Sequence, residues 1–260
     1  MAGQDFVKTQ IEDSIGWLIV DRPDQRGALN SAMWDAFPKL LDQLANDDQV
    51  RVIVVRGSEG HFIAGADITE FTELRSDPER ARNYDRGAEE TLKTLETLTV
   101  PTIAMIEGAC VGGGCLVAFA CDLRVAADNA RMGIPAGKLG LAYPYPGLER
   151  LIDSIGEAEA LALTLTGRLL DGASAHSRGL VQYLAAPEEV EQTVRGLASD
   201  IASNAPLALE YLRRGIRRHS RWSADPKAVA KMADACFASE DYQEGVAAFM
   251  EKRKPRFRGR

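Results

Sequence analysis

The sequence predicts an α/β protein, with a core of strands and helices in residues 1–186 and a helical region in residues 187–260. Two observations predict this division. In the first part, short apolar runs that end in turn residues alternate with segments of helical periodicity, which favours a parallel or mixed sheet with right-handed crossovers. In the second part, only helical patterns remain. We expect this helical region to pack on a neighbouring subunit, because its apolar stripes need a partner surface.

The predicted strands are continuous apolar runs, as expected of buried strands. They lie at 17–23, 50–57, 102–110 and 122–134. A helix is predicted after the first strand with Ser31 as its N-cap, and Pro38 should bend or split it. Another helix is predicted with Asp77 as its cap and Pro78 as its first residue. The helical patterns of the second part cover 188–203, 206–219, 226–239 and 241–253.

The overall charge disfavours nucleic-acid binding. The chain has 31 Lys and Arg against 38 Asp and Glu, a formal net charge of −7, so no overall basic field would engage a phosphate backbone. Basic runs at 213–221 and 251–260 are the exceptions, and each is either a solvated helix face or a contact for a phosphorylated small molecule. No apolar run reaches the roughly 18 residues that indicate a membrane span.

Cysteine usage and the first residues indicate a cytoplasmic protein. The cysteines form no CxxC pair and have no histidine at ligand spacing, so we interpret them as buried thiols in a reducing compartment and expect no metal site. The opening residues MAGQDFVKTQ lack the apolar segment of a signal peptide. The cysteines are Cys110, Cys115, Cys121 and Cys236.

Two glycine-containing loops are the candidate binding elements. One reads HFIAGADITEF at 61–71 and the other IEGACVGGGCL at 106–116, and each follows a predicted strand and leads into a helix. Backbone N–H groups at a helix start favour an anion, and glycine lets a ligand approach the backbone closely. Neither loop matches the dinucleotide fingerprint or the P-loop.

Taken together with other segments, these loops resemble a known family. The segments are RPDQRGALN, FIAGADI, IEGACVGGGC followed by ACDLRVAA, then KLGLAYPYPGLERL, and finally FMEKRKPRF. In this order, and over essentially the whole chain, they closely resemble the crotonase (enoyl-CoA hydratase/isomerase) superfamily. The resemblance implies a crotonase-like ββα-spiral core, a helical C-terminal trimerisation part, and homotrimers or dimers of trimers. It also implies a site for an acyl-CoA thioester, with no cofactor besides the coenzyme A of the substrate.

The resemblance also implies roles for individual residues. The thioester carbonyl would be held by the backbone N–H groups of Ala66 and Gly113, which suits a developing oxyanion. Phe249 and Lys252 resemble contacts to the adenine and phosphate side of coenzyme A, although a solvated tail is an equal alternative for Lys252. Further substrate contacts are implied for Arg26, Ala28, Leu29, Ala64, Asp67, Ile68, Gly112, Leu116, Pro135 and Ala136.

The sequence departs from the hydratase pattern at two positions. Leu116 and Ala136 stand where hydratases of the family carry their two glutamates. A positioned acid or base contributes about 10²–10⁴ in rate, so we expect hydration, and isomerisation by a single glutamate, to be slow. Pro144 stands where dehalogenases and dienoyl isomerases of the family carry an aspartate.

Three functions therefore remain open, and the sequence favours the first, enolate-stabilising chemistry such as decarboxylation. Decarboxylation of a malonyl-type thioester forms the enolate without a base, and Tyr143 could orient the leaving carboxylate, unless it only packs within its loop. A non-catalytic acyl-CoA-binding protein is the second alternative. The third is a hydratase or isomerase with a non-standard acid or base, for which the sequence offers His61, Glu70 and Glu107.

Overall fold

The computed structural model describes residues 6–70, 78–217, 234–235 and 237–260. Its strands are β1 (Val7–Glu12), β2 (Ile15–Val20), β3 (Val52–Gly57), β4 (Thr102–Ile106), β5 (Ala109–Val111), β6 (Leu123–Ala127), β7 (Arg131–Gly133), β8 (Leu170–Asp171) and β9 (Tyr183–Ala185). Its helices are α1 (Ser31–Ala45), α2 (Pro78–Thr97), α3 (Gly113–Ala120), α4 (Tyr145–Thr166), α5 (Gly172–Ser177), α6 (Val190–Ala202), α7 (Pro206–Ile216) and α8 (Glu240–Met250).

The strands form two sheets. The six-stranded sheet has the order β1-β2-β3-β4-β6-β9, in which β1 and β2 are antiparallel and the other neighbours are parallel. The three-stranded sheet has the order β5-β7-β8. The predicted mixed sheet is therefore present, and β1 is an addition that the sequence reading missed, because five of its six residues are exposed and leave no apolar run.

Two predicted strands are each divided between the sheets. The run at 102–110 covers β4 and most of β5, and it turns at Gly108, whose φ is +56°. The run at 122–134 contains β6 and β7. Strands β4 and β6 pair in the large sheet, whereas β5 and β7 pair in the small one. The division matters for function, because it brings β5 and the following glycines to the loop that follows β3.

Helix α1 corrects two predictions. Its N-cap is Asn30, whose side chain accepts a hydrogen bond from the Met33 N–H at 2.9 Å, so the prediction that Ser31 is the cap was wrong by one residue. Pro38 lies inside the helix without splitting it. Proline removes the hydrogen bond to the carbonyl four residues earlier, and here the Thr91 hydroxyl donates to that carbonyl, on Trp34, at 3.2 Å.

Helices α1, α2 and α6 cover the core. Trp34 and Phe37 of α1 are buried, and α1 packs against α2. Helix α6 packs on β4 and β6, and its Val190 and Val194 are buried. The start of α2 at Pro78 is as predicted, while its expected cap Asp77, most of the pattern at 226–239 and Cys236 lie outside the described residues. No helix in the described part of the chain is long and apolar enough to cross a membrane.

Candidate active site

The two glycine-containing loops lie side by side. The Ile63 N–H donates to the Ala109 carbonyl at 2.9 Å, and the Val111 N–H donates to the Ile63 carbonyl at 3.0 Å. These bonds form a parallel bridge between Ile63 and Cys110. Ala66 and Gly113 each lie three residues beyond this bridge along their own segments. Their backbones are close, because a Cβ built at Gly113 would lie 3.4 Å from the Ala66 nitrogen.

The run of glycines is required by this close approach. Gly112 has φ +52° and ψ −106°, a backbone conformation that side-chain-bearing residues rarely adopt. A Cβ on Gly114 would lie 2.1 Å from the Ile63 carbonyl oxygen, which is closer than atoms can pack. A side chain at Gly114 would therefore push the two loops apart, whereas one at Gly112 would meet no atom within 4 Å but would strain the backbone.

The N–H groups of Ala66 and Gly113 are available to a ligand. Their neighbours are engaged, since the Ala64 N–H donates to the Arg26 carbonyl at 3.0 Å and the Asp67 N–H to the Leu29 carbonyl at 2.8 Å. Within the described residues, neither Ala66 nor Gly113 donates its N–H to a protein acceptor. Gly113 is also the first residue of α3, where helix geometry leaves the N–H unpaired and partially positive. The pair has the properties of an oxyanion hole.

A cavity of about 170 Å³ opens beside these donors. Nine of the sequence-predicted site residues line it, namely Ala64, Ala66, Ile68, Gly112, Gly113, Leu116, Pro135, Ala136 and Tyr143. Most of the remaining wall is apolar, with Trp34, Ala88, Leu139 and Leu141 among its members. The arrangement can therefore hold a carbonyl group between two N–H donors and its apolar substituent in the cavity.

The other predicted contacts lie away from this cavity. Arg26 is exposed in a turn with φ +52°, and Leu29 is fully buried in the core. Ala28 is half-buried. Lys252 is exposed in the turn that follows α8. Phe249 belongs to α8, but its side chain lies outside what the structure describes.

Asp67 is buried and holds the first loop in place through Arg22, a residue that the sequence reading missed. The Arg22 guanidinium pairs with the Asp67 carboxylate at 2.8 Å and donates to the Ala28 carbonyl at 2.9 Å. Thr69 also donates to Asp67, from its hydroxyl at 2.6 Å. Burial raises the pKa of Asp67, but the hydrogen bonds from Thr69 and Arg22 outweigh it and hold the pKa below its ordinary value. Arg22 therefore ties the Ala28 segment to the residue next to Ala66.

Tyr143 contacts the second loop. Its hydroxyl donates to the Gly112 carbonyl at 3.0 Å, and burial raises its pKa well above the ordinary value, so it stays protonated. The same carbonyl accepts the Leu116 N–H at 3.1 Å. Because the Gly112 carbonyl and the Gly113 N–H belong to one peptide group, Tyr143 fixes the orientation of one of the two N–H donors.

The acidic and basic residues that the sequence offered as candidates, His61, Glu70 and Glu107, do not line the cavity. The Glu70 carboxylate accepts the Ser31 N–H at 2.8 Å. His61 and Glu107 are absent from the cavity wall. Burial raises the pKa of Glu107, which lies near the charges of Arg56 and Glu191.

Asp85 is the acidic residue that the structure brings to the cavity wall. Among the described residues that line the cavity, it is the only Asp or Glu. It lies on α2 beside Tyr84, whose hydroxyl oxygen accepts the Trp34 indole N–H at 3.3 Å. The helical spacing of Tyr84 and Ala88 could have indicated a buried face, but not that Asp85 borders a cavity.

Comparisons with known proteins identify relatives of this chain. The family model described as enoyl-CoA hydratase/isomerase matches residues 10–260. A probable enoyl-CoA hydratase of Bacillus subtilis is 35% identical over 256 residues, which is 97% of this chain and 98% of the relative. A short-chain-enoyl-CoA hydratase of Clostridium acetobutylicum is 33% identical and aligns over 94% of each chain.

Solved structures show the same fold. The crystal structure of an enoyl-CoA hydratase/carnithine racemase from Magnetospirillum magneticum has a TM-score of 0.93 and 33% identity, covering 98% of this chain and 96% of that one. A putative enoyl-CoA hydratase/isomerase family protein from Hyphomonas neptunium also has a TM-score of 0.93, at 32% identity over the full length of both chains. The expected crotonase-like α/β fold is confirmed.

Proposed function

Because the chain belongs to the enoyl-CoA hydratase/isomerase family, we propose that it acts on an acyl-CoA thioester whose carbonyl oxygen is held by the N–H groups of Ala66 and Gly113. The observation that carries this proposal is that both N–H groups lack a protein acceptor within the described residues and border the same cavity. Two fixed donors stabilise negative charge on the oxygen, so the supported chemistry passes through a thioester enolate.

Proton transfer on a neutral acyl group is the reaction that these residues support best. Asp85 lines the cavity, and we assign its carboxyl group to accept and return the proton. This reaction is the third function that the sequence left open, that of a hydratase or isomerase with a non-standard acid or base. It also explains how a protein with Leu116 and Ala136 at the implied glutamate positions could retain chemistry on an enoyl thioester.

Decarboxylation of a malonyl-type thioester is the second candidate. In that reaction the bond between Cα and the carboxylate breaks, CO2 leaves, and the electron pair forms the enolate. The apolar side chains of Leu116 and Ala136 on the cavity wall favour it, because they offer the leaving carboxylate no solvation. Asp85 opposes it, because a substrate carboxylate would lie in the same cavity as another carboxylate.

A mass-spectrometric assay against crotonyl-, 3-enoyl-, malonyl- and methylmalonyl-CoA tests the reaction. Water addition or double-bond migration supports proton transfer, and loss of CO2 supports decarboxylation. Binding of the thioesters without turnover would leave the acyl-CoA-binding alternative and refute both reactions. Failure of every thioester to bind would refute the proposed function altogether.

Gly113→Pro tests the oxyanion hole. Proline is tolerated at the first position of a helix and removes the N–H. We expect activity to fall by about 10²–10³ relative to Gly113→Ala, because that is the usual cost of losing one such donor. The alanine variant is the matched control, since it keeps the N–H but adds the same Cβ, 3.1 Å from Trp34. Equal activity in the two variants would show that Gly113 does not donate to the substrate.

We also propose that the chain self-associates, as a homotrimer or a dimer of trimers. The supporting observation is the apolar surface of α7 and α8, where the exposed fractions are 53% for Leu212, 50% for Tyr242 and 76% for Met250. Such a surface is unusual on a monomer. Sedimentation velocity of the purified protein tests this, and a monomer at micromolar concentration would refute it.

A further inference from the structure

We propose that Trp34 limits the length of the acyl group, so that the site accepts short acyl chains of about six carbon atoms or fewer. The inference rests on the proposed function, because it places the acyl chain in the cavity beside Ala66 and Gly113. Trp34 itself lies on α1, outside both glycine-containing loops.

Among the described residues of its wall, the cavity has an exposed rim and a buried end. Ile68 and Leu139 line the cavity and are each 56% exposed, so they form the rim of its mouth. Trp34, Ala88 and Leu116 also line it but are buried, and Trp34 is the largest of these side chains. An acyl chain that extends from the mouth into the cavity therefore meets the indole at the buried end.

The indole of Trp34 reaches the oxyanion hole. A Cβ built at Gly113 would lie 3.1 Å from the Trp34 Cζ2 atom and 3.4 Å from the Ala66 nitrogen. The edge of the ring is therefore beside both N–H donors. A carbonyl group held by these donors has its apolar substituent next to the ring.

Contacts with α2 hold the indole in this position. The indole N–H donates to the Tyr84 hydroxyl at 3.3 Å, and the Thr91 hydroxyl donates to the Trp34 carbonyl at 3.2 Å. Helix α2 can approach closely because Gly87 has no side chain, since a Cβ there would lie 3.2 Å from the Trp34 Cβ. The ring therefore cannot rotate away from the cavity for a longer acyl chain without breaking the contact with Tyr84.

The size of the cavity sets the length of chain that it can hold. Its volume is about 170 Å³, and an apolar cavity of about 150 Å³ holds one benzene molecule, which has six carbon atoms. Up to that length, each buried methylene should raise the affinity about fourfold. A longer chain must displace Trp34 or leave its end in water, so the gain should stop there.

Binding constants for a series of saturated thioesters test the proposal. Isothermal titration of the unmodified protein with acetyl-, butyryl-, hexanoyl- and octanoyl-CoA should show an affinity that rises to hexanoyl and then stops rising. An affinity that continued to rise about fourfold per methylene to octanoyl would overturn the length limit. If butyryl-CoA did not bind to the unmodified protein, the proposed function would be overturned instead.

Trp34→Phe tests the role of the indole, because the phenyl ring is smaller and reaches less far. The ratio of the octanoyl to the hexanoyl affinity should rise about tenfold, as expected for two more buried methylenes. Phe37→Leu is the matched control, since it also removes aromatic atoms from α1 but Phe37 is absent from the described cavity wall. An unchanged ratio in Trp34→Phe, or an equal rise in Phe37→Leu, would overturn the role of Trp34.

Ala88→Val gives a second test that does not depend on the stability of Trp34→Phe. Ala88 lines the same buried end of the cavity, and the two added methyl groups would narrow it beside Trp34. The affinity should then stop rising at a shorter acyl chain than in the unmodified protein. An unchanged series would show that the acyl chain does not reach this end, which would overturn the proposal.

Discussion

Replacement of Tyr143 by Phe distinguishes a residue that acts on the substrate from one that positions the oxyanion hole. In the structure, the hydroxyl donates to the Gly112 carbonyl at 3.0 Å, and the Gly113 N–H is the other end of the same peptide group. A hydrogen bond to the carbonyl polarises the peptide and strengthens its N–H as a donor. Phe removes that effect and keeps the ring.

The size of the effect follows from these contacts. One hydrogen bond strengthens the next in a chain by about 10–30%, and one oxyanion-hole donor contributes about 2.7–4 kcal/mol to stabilising the transition state. Loss of the Tyr143 hydroxyl should therefore remove about 0.3–1.2 kcal/mol of that stabilisation, which lowers the rate about two- to eightfold. The free energy of unfolding should fall by only about 0.5–1.5 kcal/mol, because the Gly112 carbonyl keeps the Leu116 N–H as a partner. A direct role in proton transfer or in orienting the substrate would instead cost about 10²–10⁴.

The assay combines steady-state rates with the infrared carbonyl stretch of a bound, isotopically labelled thioester. Tyr143→Phe should move that frequency towards the value of the free thioester and leave KM nearly unchanged. Tyr145→Phe is the control, because Tyr145 is 66% exposed and absent from the cavity wall. A loss beyond about 100-fold with an unchanged carbonyl frequency would refute the reasoning, since the hydroxyl would then act on the substrate itself.

Two further predictions concern pH. The pKa of Asp67 lies below its ordinary value of 3.8, so the ionised Asp67 stabilises the protein above that pH and this stability is lost as the pH falls. In urea unfolding, the free energy of unfolding of Asp67→Asn should therefore depend less on pH between about 5 and 3 than that of the unmodified protein. An unchanged dependence on pH would contradict the contacts of Asp67 with Arg22 and Thr69. Burial and, to a smaller extent, the neighbouring Asp122 raise the pKa of Cys121 to about 12, so the stability that the protonated thiol contributes is lost as the pH rises above 9. The free energy of unfolding of Cys121→Ala should therefore fall less steeply above pH 9 than that of the unmodified protein. Labelling of Cys121 by iodoacetamide in the native protein at neutral pH would contradict its burial.

The positions of the glycine loops could be predicted from the sequence because they depend on local chemistry, whereas the assignment of the two donors to Ala66 and Gly113 came from the resemblance to the family. A strand that ends in a glycine-rich turn and continues as a helix leaves unpaired N–H groups wherever it occurs. The apolar runs likewise indicated the strands, although not the division of 102–110 and 122–134 between two sheets. That division depends on pairing partners that are distant in sequence.

The side chains around the donors were decided by tertiary structure. Tyr143 meets Gly112 across 31 residues, Arg22 meets Asp67 from another loop, and neither pairing has a signature in either segment. Asp85 is the clearest case, because the sequence marks it only as a charged residue on an amphipathic helix. The contact between Trp34 and Tyr84 sets the rotation of that helix, and packing between helices therefore determines which carboxylate borders the cavity.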